Sequence, residues 1–266
     1  TACHNALLPG RRLPFVIAGS VAGWVQPRFA EALLADGHAA VAREDRTVVL
    51  RDPGALQPLA HSLARQGHYR WRDEAFDVRA SVGGPVLTTI DRGAIPSFGL
   101  LAIGVHVNGL VSRRDGLHVW VARRADNKLL DPGKLDHLVA GGVPAGLTPE
   151  ETLVKEAAEE ANIPPALASR ARHVGTISYA MERPEGLRRD DINCYDLELP
   201  PDFKPYAADG EVAGFELWPV RRVLDTVRST DDFKFNVNLV LVDLFIRCGL
   251  IKGAQARRLR AELSRD

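Results

Sequence analysis

The chain has little cysteine: Cys3, Cys194 and Cys248 are the only three in 266 residues, far apart and never at metal-ligand spacing. That excludes a disulfide framework and a structural zinc site, and it sets a reducing cytoplasm as the expected compartment. There is no long apolar run. The longest, around residues 15–25 and 237–246, fall short of the roughly 20 residues that span a bilayer. Nor does a basic segment lead into an apolar core and cleavage site after Thr1, the pattern of a secretory signal. Charge of one sign is not in surplus either, with 34 basic and 34 acidic side chains. Nucleic acid is therefore not expected as the main partner, because binding a phosphate backbone leaves a basic excess. A small phosphorylated ligand needs only a few local cations and stays open.

What is present is an ordinary globular composition, 45% apolar and 26% charged, in a chain long enough for one large domain or two smaller ones. Residues 28–35 and 58–66 read as helices and 46–50 as a strand, with Pro58 suited to a first helical turn. Glycines and prolines between Gly83 and Pro96 then punctuate the chain. We place a boundary near residue 95, giving a small α+β domain over 1–95 and a second domain over 96–266. Strand-like runs follow at 99–107, 118–122, 174–181, 192–199 and 214–217. One helix is signalled from Pro149 to Ile163, where Pro164 and Pro165 stop it, and another over 235–247. Strands around one helix, with further helices outside, indicate an α/β/α sandwich with a mixed sheet; a doubly wound parallel sheet would need more alternating helices.

The chemistry concentrates in Gly141–Ile163. Thr148, Pro149 and Glu151 form a capping box at a helix start, worth about 1 kcal/mol. At 3.6 residues per turn, Glu156, Glu159 and Glu160 fall within roughly a 100° arc, beside an apolar stripe of Leu153, Val154, Ala157 and Ala161. Three carboxylates on one face repel one another, and Lys155 offsets this only in part. A solvated acidic face would be the ordinary reading of such a cluster. The Gly-rich loop just upstream favours a cation instead, since glycines let backbone approach an ion and its phosphates closely. Hard oxygen donors without Cys or His point to Mg2+ or Mn2+.

This stretch resembles the Nudix signature, in which a Gly, an Arg-Glu and a Glu-Glu pair stand at fixed spacing. Gly141 matches the first Gly, Glu156 the Glu of Arg-Glu, Glu159 and Glu160 the pair, and Ile163 the final aliphatic position. Three positions depart: Leu147 replaces a Glu, Lys155 the Arg and Asn162 a Gly. Asn tolerates the left-handed conformation, so that change is mild; Lys loses the bidentate fork of Arg. Segments 117–124, 132–142, 175–179, 209–212 and 233–249 extend the resemblance to the Nudix part of proteins fused to thiamine pyrophosphokinase, a subgroup with an extra N-terminal domain. The resemblance implies a Nudix-type fold and metal-dependent hydrolysis of a small-molecule diphosphate, with thiamine diphosphate or damaged analogues as substrate. It implies a metal set of Gly141, Glu156, Glu159 and Glu160, and a general base at Glu156 or Glu211, with Glu160 also in the catalytic group. Candidate substrate contacts are Arg123, Arg124, Tyr179, Lys234 and Asn236, with Trp218, Arg183, Arg188 and Arg189 as further possibilities and His137 reading as structural. For each of these, taken singly, a solvated or packed role is the ordinary alternative.

Three other functions remain on the same residues. A hydrolase of ADP-ribose-like compounds could use the same parts. A non-hydrolysing nucleotide sensor would suit the departures at Leu147 and Lys155, but not the intact glutamates. An isopentenyl-diphosphate isomerase would need a cysteine upstream of the box, where none lies between Cys3 and Cys194. No membrane partner is expected, and a homodimer is left open.

Overall fold

The structure, a computed structural model, describes residues 4–36, 39–127, 130–207 and 210–263. Cys3 and Asp209, both part of the sequence argument, lie outside the described residues. Two compact units divide the chain: Thr1–Ala102 with Val143–Leu147 and Tyr179–Asp191, and Ile103–Gly142 with Thr148–Ser178 and Ile192–Asp266.

Alternation at Leu13, Phe15 and Ile17 buries one face of β1 (Leu13–Ile17), the period expected of a half-buried strand. β2 (Ser20–Val25) follows, then α1 (Pro27–Ala35), β3 (Val41–Glu44) and β4 (Thr47–Leu50). They form a sheet in the order β2-β1-β4-β3, with β1 parallel to β4. Both expected helices are present: α1, and α2 (Leu56–Arg65), which has Pro58 in its first turn. β5 (Ala75–Val78) and β6 (Thr88–Asp91) pair antiparallel, and α3 (Ile95–Phe98) closes the segment. Phe15, Ile17, Leu33, Leu56, Leu59, Leu63 and Phe98 share one core.

The second unit is built on β7 (Leu101–Arg113) and β8 (Gly116–Arg124), with β9 (Leu135–Asp136) on β8 and β10 (Val139–Gly142) on β7. Then come α4 (Pro149–Ala161), α5 (Pro165–Ala168), β11 (Arg172–Arg183), β12 (Gly186–Glu198) and β13 (Val212–Pro219). Three helices end the chain: α6 (Val220–Ser229), α7 (Val237–Arg247) and α8 (Gly253–Leu263). The sheet order is β11-β12-β7-β8-β13. Gly104 meets Asn193, Asn108 meets Asp196 and Leu110 meets Leu199. Contacts that climb together in this way make β12 parallel to β7. Since β7, β8 and β13 pair antiparallel, the sheet is mixed. One face packs Leu110, Val119, Val121 and Leu135 on α6 and α7; α4 lies on β10 at the other. The architecture is the α/β/α sandwich that the strand and helix pattern implied.

Candidate active site

Helix α4 forms as its sequence requires. Thr148 Oγ1 accepts from Glu151 N at 3.2 Å while Thr148 N donates to Glu151 Oε2 at 2.9 Å, so two N–H groups that the helix leaves open are satisfied. Pro149 takes the first turn, and Asn162 ends the helix with φ 51° and ψ 40°. Leu153, Ala157 and Ala161 are buried, which turns the glutamate side of the helix toward β10.

That orientation gives each glutamate a different environment. Glu160 is buried and its Oε2 accepts from Ala140 N at 2.9 Å. Burial first, then the charges of Glu156, Asp136 and Glu211, push its carboxyl well above the ordinary range, the Ala140 N–H opposing only in part. Those same charges bring Glu211, at the head of β13, within the field of Glu160. Glu156 lies against Gly141: a Cβ there would stand 2.6 Å from Glu156 Cδ and 2.7 Å from Cγ. The glycine therefore supplies room for a carboxylate. Glu159 is half exposed and accepts from Lys155 Nζ at 2.7 Å, with the same ammonium 3.4 Å from Glu156.

The structure adds a residue that the motif does not contain. Buried Asp136, on β9, accepts from Arg124 at 2.8 Å through Oδ2 and from His137 N at 2.9 Å through Oδ1, and Lys234 stands 3.5 Å from Oδ2. Arg124 also donates to the carbonyls of Leu130 and Asp131. It is thus a strut for the 130–131 turn rather than an open phosphate ligand. Burial alone raises the Asp136 carboxyl, but Lys234, His106, Arg124 and His137 outweigh it and hold the group well below the usual carboxylate range. Asp136→Asn should cost about 3–5 kcal/mol of stability at pH 7 by leaving buried cations uncompensated, read as a lower urea midpoint. A group with a depressed folded pKa stabilises above its unfolded value, and that contribution is lost as pH falls through the folded value. The gap between wild type and variant should therefore be full above about pH 4 and shrink below it. A variant as stable as wild type at pH 7 would remove Asp136 from this role.

The other expected contacts separate. Adjacent strand residues face opposite ways, so Arg123 points away from Arg124 and Asp136. It donates to Gly133 O at 3.0 Å and lines a cavity of about 480 Å³ with Lys134, Leu135, Glu216 and Trp218. Buried Trp218 donates to Glu216 at 2.9 Å, with the Arg222 guanidinium 3.6 Å above its ring. Tyr179 belongs to the first unit, where it is buried and its hydroxyl donates to Asp190. It is thus packed and hydrogen-bonded within that unit. Arg188 is held by Glu185 and Asp190, and Arg189 by the carbonyls of Ala22 and Gly99. Asn236 is buried at the start of α7 and Lys234 reaches Asp136. Asp136 could have been noticed as an acidic residue five positions before Gly141, but a lone Asp in a loop carries no periodic signal.

Comparison with known proteins agrees with the geometry. The family model of the NUDIX domain matches residues 103–237. The chain belongs to the Nudix family. Ahead of the Nudix domain, residues 2–102 match a domain of unknown function (DUF4743). Over 265 residues this Nudix protein is 37% identical to Nudix hydrolase 20, chloroplastic, of Arabidopsis thaliana, covering 91% of its own length and 70% of the plant protein's. It is 46% identical over 181 residues to Nudix hydrolase 24, chloroplastic, of the same plant, covering 68% of its own length and 50% of that protein's. A crystal structure of a protein from Deinococcus radiodurans is similar at 23% identity and a TM-score of 0.49, over 66% of this chain and 99% of the other. Both plant relatives are named as Nudix hydrolases, and the Nudix domain here is a pyrophosphohydrolase.

A divalent cation fits the residues present. The donors are hard carboxylates, one of them buried among like charges, beside a glycine whose missing side chain opens the space. Lys155 bridges Glu156 and Glu159 and already shows the electrostatic demand for a cation.

Proposed function

We propose that this Nudix domain hydrolyses the diphosphate of a small heteroaromatic compound, thiamine diphosphate or its oxidised or ring-altered forms. Water breaks a P–O bond and leaves the monophosphate and inorganic phosphate. The observation that carries the hydrolysis is the convergence of Glu156, Glu160 and Glu211 around the 140–141 end of β10. Glu156, Glu159 and Glu160 would hold Mg2+ or Mn2+ there, which when bound supplies charge neutralisation for the diphosphate oxygens and acidifies water. Within the chain, a carboxylate takes the proton of the attacking water. Glu211 is exposed and suits passing that proton to solvent; Glu156 is the alternative.

Two points support the substrate class. The resemblance to the thiamine-linked subgroup covers several segments of the Nudix domain. Lys155 is taken up by Glu156 and Glu159, and Arg124 and Lys234 are drawn to Asp136. This leaves an acid-rich surround compatible with a cationic ring. The comparison to make is kcat/KM on thiamine diphosphate and its oxo analogue against ADP-ribose, with Mg2+ and with EDTA. We expect the thiamine compounds to lead. A tenfold advantage for ADP-ribose, about 1.4 kcal/mol, would end the thiamine reading and leave the diphosphate chemistry standing.

A further inference from the structure

The loop that leads into the glutamate-bearing helix does not belong to the unit that carries the helix. β10 ends at Gly142 and Thr148 caps α4, both in the second unit, but Val143–Leu147 between them belongs to the first. A tight turn shapes this loop. Leu147 N donates to Pro144 O at 3.2 Å, and Gly146 stands at φ +81°. That is the third position of a type II turn, where a positive φ favours glycine. Val143, ahead of the turn, is buried. Ala145, at the second position, donates its N–H out of the loop to Ala75 O, on the first residue of β5, at 2.8 Å.

The acceptor is held as firmly as the donor. Ala75 is the register partner of Asp91 across β5 and β6. The fully buried Asp91 carboxylate accepts from Arg72 N, Glu74 N and Gly93 N at 2.8 to 3.2 Å. Glu74 O accepts in turn from Arg92 N at 2.8 Å. Charge-assisted bonds to three backbone donors fix the peptide that leads into Ala75, and Phe76 and Val78 root the same strand in the core of the N-terminal domain.

We infer that the N-terminal domain positions the catalytic helix, with β5 holding the 143–147 loop through Ala75 O. One end of the loop adjoins Gly142 and the Gly141 that receives Glu156; the other adjoins the Thr148 cap of α4. Five residues leave little slack between those ends, so a loop fixed at its middle limits how far they can drift. Leu147 agrees with this role. Where the resembled signature carries a Glu, a half-buried Leu suits a loop taken into a folded unit rather than one open to water. Ala145 and Ala75 are positioning residues that act through the loop and take no part in P–O cleavage. One of the two readouts below rests on the reading of Glu156, Glu159 and Glu160 as metal ligands; the other does not.

The test uses the full chain and Ala145→Pro. Proline suits the second position of a type II turn, so the turn survives. Its ring takes the place of the N–H, so the loop must part from Ala75 O. Two measurements need no substrate. In metal-free protein, hydrogen exchange of the amides in 141–152 should quicken roughly tenfold, as expected for local opening, while β7 and β8 keep their protection. Mn2+, titrated alone and followed by its paramagnetic signal, should bind about five- to tenfold more weakly, since the binding-competent loop becomes only part of the population. Ala145→Ser, which keeps the N–H, should match wild type in both. Asp91→Asn, which loosens the acceptor and leaves every Nudix residue intact, should move both readouts the same way, and it decides the case if thermal melts show Ala145→Pro unfolded. Unchanged exchange over 141–152 in the folded variant would overturn the inference, as would unchanged Mn2+ affinity where wild type binds the ion. If wild type takes up no Mn2+, the metal reading fails, and hydrogen exchange alone decides whether β5 holds the loop.

Discussion

Glu160→Gln is expected to lower kcat by roughly a hundred- to a thousandfold, the scale of removing one preorganised group that stabilises charge in a transition state. Glu160 is the buried member of the trio, and its carboxyl is pushed up by burial and then by Glu156, Asp136 and Glu211. Glutamine keeps an oxygen for the Ala140 N–H and removes only the charge. Without added metal the thermal midpoint should hold or rise, because like-charge repulsion is relieved. Glu159→Gln should do less, about tenfold, because that side chain is half exposed and already held by Lys155. Steady-state turnover at saturating Mg2+, with melts of the same samples, separates the two effects. Near-normal turnover in Glu160→Gln would remove the proposed centre.

Gly141→Ala should be almost as damaging to activity and far milder to the fold. The new methyl would meet Glu156 Cδ at 2.6 Å and Cγ at 2.7 Å, and a flexible side chain yields to such a contact before backbone does. Glu156 would swing out of its place, with turnover falling roughly a hundredfold, as expected when a preorganised charge is misplaced. Gly141 carries no left-handed backbone, so the substitution imposes no strain of that kind, and the melting temperature should change by only a few degrees. Restoring space with Gly141→Ala/Glu156→Asp should recover part of the loss. A fully active Gly141→Ala would show that Glu156 need not occupy this position.

Much of this protein was legible along the chain because its signals are local. The capping box of α4 depends on residues three apart, and the left-handed end at Asn162 on one residue's backbone tolerance. Both are present. The strands in the second unit announced themselves by Val, Trp and Ile runs. α6 carries a local signal too, with apolar residues at Val220, Val223, Leu224 and Val227, a helical spacing. The four- to six-residue strands β1, β2, β3, β5 and β6 lacked the length to distinguish a period of two from a loop.

Helical geometry alone puts Glu156, Glu159 and Glu160 on one side of α4, so the place of a hard-ligand cluster follows from residue order. It could not rank them. That required β10, whose Ala140 N–H receives Glu160 and whose Gly141 receives Glu156, while Glu159 is left to Lys155 and solvent. Nor could it distinguish Arg123 from Arg124, because burial and partner choice depend on strands far apart in sequence. Asp136 and the His106–His137 pair were set by tertiary structure for the same reason. A lone charge or imidazole acquires its ionisation and its role from the groups folded against it, and those are 12, 98 and 31 residues away at Arg124, Lys234 and the partner histidine.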